Sequence, residues 1–590
     1  MTTPPLNHAL RPRTGPLTTR QWLMLILAVH FLLALAYSIV IPPWEAHDEW
    51  AHYSYSAYLL NHHAFPNPAK NINKVFRYDE AAQPPLYYLL IAIPMSLADT
   101  EDGYQPVAND NLFSGLAMLG RNATVHNPDA ERFPWHGTLL AMHLGRFASA
   151  LLSLLALLIT FRILRFLSPN NPGIALVGTA FQAFAPEFIF LSGVITNDIM
   201  VVVVESLLLY YSLRIIEEGP TLRLTFLLGL AAALSMLTKY LAVAVIPVAG
   251  LAFVWGAWRH RKTPGMGRNF IISASLALGL LVTLAGAFMW RTHKLTGHWI
   301  LRDLNTRQSL INVLKGGDFH WDYLPRALVN GFQTYWVSFG WGNLSPALWV
   351  YWALLGVILL GMAGFLWWLA TKGDSRARRL TLFLALFALA AVSLPLFREL
   401  LLDRPFLRGR FLLVTLPIAG WTLAQGWAML SGRLWRWTRW ALLLFPLALS
   451  AWLIPGLIIP AYAQPEPLAR LPRENIIPVD VRFGHYAELL AARISPEDEI
   501  AVNEQMRVTL YWNILARTDV PYMVVINLVG ADNQIYGGVA SFPGNGNAPN
   551  YFQLSSATSG LVVVRDTLTR DSALSYTVRF DPSFPLSPAP

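Results

Sequence analysis

Two carboxylates and two imidazoles crowd one short stretch, His47-Asp48-Glu49-Trp50-Ala51-His52. A carboxylate positioned beside a hydroxyl can take its proton, and a histidine can orient the carboxylate or help bind a metal. Helical spacing sorts the group. His52 lies four residues after Asp48 and shares its face, whereas Glu49 leaves the helix about 100° away. Asp48, Glu49 and His52 are therefore the catalytic candidates, with Asp48 the best placed to have a helper. Farther along, Asn197-Asp198 offers an amide and a second acid for a sugar or a metal. Arg77, Arg146, Lys239, Arg404, Arg408 and Arg410 are cations suited to a phosphate. Each has a plainer reading. Asp48 and Glu49 can sit at the wet edge of a bilayer, Asn197 and Asp198 can cap the helix that begins at Ile199, and arginines near a membrane rim snorkel.

The elements that must position these groups are membrane spans. The chain has 590 residues, of which 54% are hydrophobic and 13% charged, and its mean hydropathy is +0.41. Eleven apolar runs recur, at 21–41, 140–166, 173–194, 199–215, 224–237, 241–258, 270–290, 346–370, 380–396, 411–430 and 441–459. A span needs about 20 apolar residues. The run 86–97 is too short and is expected to be an interfacial or re-entrant outer helix. One helix over 224–258 would be roughly 50 Å long, too long for the hydrocarbon, so a break is expected at Thr238-Lys239-Tyr240.

Charge sets the orientation. Arginine and lysine gather at 11–20, 162–165, 259–268, 372–379 and 433–439. By the positive-inside rule these loops, and the amino terminus, are cytoplasmic. The loop 42–139, the turn 196–198, Lys239 and segments 291–345 and 398–410 then face outward, and the chemistry-bearing residues share that side. The expected organisation is a cytoplasmic tail over 1–20, a membrane domain over 21–460 and a linker over 461–473. A β-sandwich over 474–590 follows, with strand-like runs such as Val508-Thr509-Leu510-Tyr511-Trp512 between turn signals. The chain lacks cysteine, so disulfides and thiolate metal sites play no part. It lacks a Walker-type loop, which removes support for ATP-driven transport. Its net charge of +9 follows from the inner arginines and needs no nucleic acid. Asn122-Ala123-Thr124 is a sequon by pattern alone, and the aromatic stretch 331–343 reads as an interfacial belt or a sugar-stacking surface.

A family resemblance rests on motifs in order. They are Pro43-Trp44-Glu45-Ala46-His47-Asp48-Glu49, Gln83-Pro84-Pro85-Leu86-Tyr87-Tyr88, His143-Leu144-Gly145-Arg146-Phe147, Pro186-Glu187-Phe188 through Asn197-Asp198, Leu237-Thr238-Lys239-Tyr240 and Arg408-Gly409-Arg410-Phe411. Over about 21–430 the chain resembles GT-C-type polytopic glycosyltransferases, related to protein O-mannosyltransferases and lipid A aminoarabinose transferases. Its carboxy-terminal part resembles β-sandwich modules appended to some bacterial members. The resemblance implies a polytopic α-helical membrane protein of about eleven spans with an extracytoplasmic β-sandwich, placed in the cytoplasmic membrane. It implies transfer of a sugar from a polyprenyl-phosphate donor to an extracytoplasmic glycan, lipid or protein, with Asp48 as general base. Gln83, Tyr87 and the cations above would bind substrate. The aminoarabinose transferases carry lysine where this chain has Gln83, which moves the expected phosphate contact toward Arg77, Arg146 and Lys239. A divalent cation, Mg or Mn, stays open because no metal-binding spacing is present. The rival class is a non-catalytic transporter or scaffold for envelope polysaccharide, which would favour midplane charges and internal repeats.

Overall fold

The computed structural model describes residues 17–70, 80–108, 122–299, 312, 315–316, 319–402, 407–463, 467–468, 470–472, 475–495, 505–516, 524–529, 535–541, 561–563 and 574–579. The first helix, α1, covers Thr19–Val40, starts from a capping box at Thr18 and Gln21, and ends where Pro42 and Pro43 forbid continuation. The outer loop then folds as α2 (Glu49–His62) and the short apolar α3 (Leu86–Met95). It continues through a strand pair, β1 (Val107–Ala108) with β2 (Thr124–Val125), and α4 (Pro128–Glu131). The bundle resumes with α5 (Gly137–Leu167), α6 (Pro172–Ala183), α7 (Pro186–Ser192), α8 (Asp198–Glu218), α9 (Leu222–Met236) and α10 (Ile246–Arg259). After α11 (Met266–Thr296) come α12 (Leu324–Trp336), α13 (Leu348–Thr371), α14 (Ser375–Leu402), α15 (Leu416–Ser431) and α16 (Trp435–Leu453).

Among the described residues, eight helical stretches are long and apolar enough to cross a membrane. One of them, Gly409–Tyr462, contains both α15 and α16, separated by a turn at Gly432. The pair α6 and α7 is bent by 64° and passes the same test as one unit, and α9 is a shorter apolar helix. The run 86–97 forms α3, which buries Tyr87, Tyr88, Ile91 and Met95 and exposes Leu89 and Ile93. The break between α9 and α10 lies where expected. Lys239 is extended there, and a short 3-10 turn over Tyr240–Ala244 leads into α10.

Small residues let the helices meet. A methyl group on Gly426 would lie 1.8 Å from the Gly361 carbonyl oxygen, so α13 and α15 touch backbone to backbone. Membrane helices gain most of their association from such close packing, since lipid is as apolar as their side chains.

After the bundle, β3 (Pro467–Leu468), β4 (Ile477–Phe483), β5 (Ala487–Ser495), β6 (Gln505–Ile514), β9 (Leu561–Val563) and β10 (Leu574–Arg579) form one antiparallel sheet. Its path is β3-β9-β6-β5-β4, and β10 also pairs with β6. A separate hairpin joins β7 (Val524–Val529) to β8 (Ile535–Ser541).

Candidate active site

The site begins with a helix end. Asp48 precedes α2 in the left-handed region, at φ 62°. Asp tolerates this conformation better than most residues, and such positions gather at functional sites. His47 Nδ1 lies 2.5 Å from Asp48 Oδ2, and Arg410 donates to the same oxygen at 3.0 Å. Burial alone would raise the Asp48 pKa. The charges of His47 and Arg410 outweigh it and hold the carboxyl well below the usual range. Burial, and then the Arg410 charge, lower the pKa of His47. In either protonation state a His47 Nδ1–H can donate to Asp48, and Arg410 supplies a permanent countercharge.

Arg410 reaches a second acid. Its other terminal nitrogen lies 3.8 Å from Asp198, whose Oδ1 is 2.5 Å from Lys239 Nζ. Lys239 also donates to Asn197 Oδ1 at 3.1 Å. The broken helix between α9 and α10 frees Lys239 to reach the first turn of α8. Asn197 occupies the cap position of α8 but makes no capping bond. Its side chain serves Lys239 and the Tyr88 hydroxyl instead, and Thr196 Oγ1 accepts from the Asp198 amide. The capping expectation for Asn197 is therefore corrected: an αR backbone leaves its side chain pointing into the site.

His52 lies in α2, with a ring nitrogen within 4.8 Å of an Asp48 oxygen. Its Nδ1 is 2.9 Å from Tyr88 OH, and burial pushes its pKa down to about 3, so it is neutral. Glu80 joins it, three residues ahead of Gln83. Single ligand atoms of Asp48, His52 and Glu80 all lie within 4.8 Å of one another. Two carboxylates and an imidazole can hold a divalent cation, although Arg410 already occupies Asp48 Oδ2. Burial, and then the charge of Asp48, raise the Glu80 pKa to about 8. Gln83 hydrogen-bonds Glu80, and its own buried Oε1 has no partner among the described residues. Sequence reasoning missed Glu80. The available signal was an acid directly ahead of the Gln-Pro-Pro-Leu element.

Two expected site residues stand elsewhere. Glu49 accepts two bonds from Arg146, at 2.8 and 2.7 Å, plus the backbone amides of Trp44 and Ile195. Arg146 also donates to the carbonyls of Ser38, Ile41 and Pro42. It thereby closes the carbonyl end of α1, where a cation is favoured. Both side chains are sealed from solvent. Asp48, in the left-handed region, and Glu49, in the first turn of α2, reach different partners: His47 and Arg410 for Asp48, Arg146 for Glu49. Tyr87 is likewise structural, bonded to Ser149 and the Thr196 amide. Arg77 and Arg404 lie outside the described residues.

Beside Asp48 is a cavity of about 340 Å³ lined by His47, Glu187, Trp341, Gly342, Arg408 and Arg410, among others. Trp341 stacks on His47 at 4.2 Å. Gly342 has φ 89°, and a side chain there would meet the Arg408 guanidinium at 2.7 Å. Burial, with the charge of Arg410, lowers the pKa of Arg408. The aromatic stretch is therefore no belt: Trp336, Phe339 and Trp341 are buried, and Trp341 walls the site. The sequon is structural too, since Asn122 and Thr124 are buried and Thr124 bonds Glu45.

Residues 140–290, from α5 into α11, match a family model described as dolichyl-phosphate-mannose-protein mannosyltransferase. The matched part contains Asn197, Asp198 and Lys239. Similar solved structures include ArnT from Cupriavidus metallidurans bound to undecaprenyl phosphate, at 14% identity and a TM-score of 0.41, covering 73% of this chain and 63% of that one. The S. cerevisiae protein O-mannosyltransferase Pmt1-Pmt2 complex bound to the sugar donor has 17% identity and a TM-score of 0.32, covering 48% and 35%. The chain thus spans less than two thirds of either structure. No curated protein matches it.

Proposed function

We propose that this chain is a membrane glycosyltransferase that moves a sugar from a polyprenyl-phosphate-linked donor to an acceptor hydroxyl outside the cytoplasm. The observation that carries the reading is one carboxylate, Asp48, sharing Arg410 with Asp198 beside a cavity that Arg408 also lines. The acceptor oxygen attacks the anomeric carbon, and its proton passes to Asp48. The bond from that carbon to the phosphate oxygen breaks, and its electron pair stays on the phosphate. Arg410 and Arg408 then neutralise the leaving group.

The resting geometry supports an order of events. With Arg410 on its Oδ2, Asp48 is ionised but weakly basic. A donor phosphate competing for Arg410 draws that charge away, so Asp48 gains basicity once the donor is seated. Asp198 keeps Lys239 and part of Arg410 in place meanwhile. His47, stacked on Trp341, contacts the same carboxylate oxygen as Arg410.

Purified protein incubated with labelled polyprenyl-phosphate sugars tests the reading. Asp48→Asn keeps the shape but loses the basicity, so turnover should fall about a hundred- to ten-thousandfold while donor binding changes little. Near-normal turnover in that variant would sink the assignment of Asp48. Vectorial movement of the lipid-linked sugar without turnover would point to the transporter class instead.

A further inference from the structure

At the other end of α1 lies an open groove of about 430 Å³, lined by Trp22 and Ile26 of α1, Gly173, Leu176 and Val177 of α6, and Arg439, Trp440 and Leu443 of α16. Fifteen or more residues of helix separate it from the Asp48 loop, roughly 22 Å at 1.5 Å per residue. The site described above therefore does not include it. Its walls are apolar and its mouth is not. Trp22 and Trp440 meet edge to face at 5.1 Å, and the Arg439 guanidinium lies over the Trp440 ring at 5.4 Å. The Arg439 Nε is buried and has no hydrogen-bond partner among the described residues. Arg439 is itself part-exposed, so its charge is open to an anion at the groove mouth, where the unpartnered Nε–H is one donor such an anion can take.

We propose that this groove seats one anionic glycerophospholipid, with its phosphate against Arg439 and an acyl chain along Ile26, Leu176, Val177 and Leu443. Three features select this occupant. The groove joins a hydrocarbon-lined wall to a single aromatic-backed cation, the layout of a chain joined to a headgroup. Arg20 in the first turn of α1 and Arg433 and Arg436 near the start of α16 carry further positive charge at the same rim. Each basic residue near such a surface favours anionic lipid roughly fivefold, so a headgroup with net negative charge is preferred to a zwitterionic one.

Native mass spectrometry of the full chain in detergent tests this, with phosphatidylglycerol and phosphatidylcholine of identical acyl chains. The wild type should retain one phosphatidylglycerol in preference to phosphatidylcholine. Arg439→Gln should cut that retention roughly fivefold. Leu176→Trp fills the groove without touching a charge and should cut retention of both lipids. Equal retention of the two lipids by the wild type overturns the proposal, as does wild-type retention of phosphatidylglycerol in either variant. If Arg439→Gln fails to elute as folded protein, the Leu176→Trp result decides. None of these outcomes depends on the transfer reading, because no residue of the groove touches the Asp48 site.

Discussion

Adjacent acids with opposite fates define the residue scale. Asp48 faces cations that a substrate can also reach, whereas Glu49 is spent on Arg146. Their neutral variants should therefore fail differently. Glu49→Gln leaves the Arg146 charge buried and half-partnered, and breaking such a pair costs about 3–5 kcal/mol. Its thermal unfolding midpoint in detergent should drop sharply, whereas Asp48→Asn should lower it less, because Arg410 keeps Asp198, and should lose turnover. Equal midpoints would show that the Glu49–Arg146 pair is not structural. Arg410→Lys keeps a positive charge but cannot fork between Asp48 and Asp198. A hydrogen bond to a charged group is worth about 1.5–3 kcal/mol, so kcat/KM should fall roughly ten- to hundredfold. Wild-type kinetics in that variant would remove Arg410 from the mechanism.

Between elements, the outer loop hangs on a buried clasp. His126, after β2, lies 3.0 Å from Glu45 and 3.1 Å from Glu131 of α4. Glu45 also accepts the Ala123 and Thr124 amides, so it ties the turn that carries Asp48 to β2. Burial would lower the His126 pKa, but Glu131 and Glu45 raise it to about 10. The sign follows from the folded pKa standing above the ordinary histidine value near 6.5. The clasp contributes its full stability below about pH 6.5 and loses it as pH rises through about 10. A pH series of unfolding midpoints for the wild type and His126→Gln should show a gap that is widest at pH 6 and closes toward pH 10. A gap independent of pH would mean that the clasp holds no proton. Deeper in the bundle, Gly426→Leu would drive a side chain into the Gly361 carbonyl, and the yield of folded protein should collapse.

On the scale of the whole molecule, the arginine-rich loops and the chemistry-bearing residues occupy opposite ends of the same helices. Reporter fusions after Arg268 and after Pro460 should report opposite sides of the membrane, and a shared side would refute the expected topology. The carboxy-terminal sheets bring together no cluster of acid and base groups among the described residues. Deleting residue 474 onward should therefore leave transfer to a small soluble acceptor, and complete loss in a membrane-inserted truncation would show that the sheets help build the site.

Hydropathy and charge alone determined that this is a polytopic helical protein. They also showed that 86–97 is no ordinary span and that a break falls at Lys239. These are one-dimensional properties: the bilayer limits the apolar length of a span, and the positive-inside rule fixes the side of each basic loop. The same reasoning placed Asp48, His52, Asp198, Lys239 and Arg410 on one side. It could not say which acid meets which cation. Helical periodicity specifies the face of a side chain but not what stands opposite. Only tertiary structure decided that Arg146 seals α1 with Glu49, that Asn197 serves Lys239 instead of its own helix, and that Trp341 lies against His47. It alone carried Glu80 to Asp48 and His52, since burial and distance between remote segments, not spacing, choose partners among equal charges.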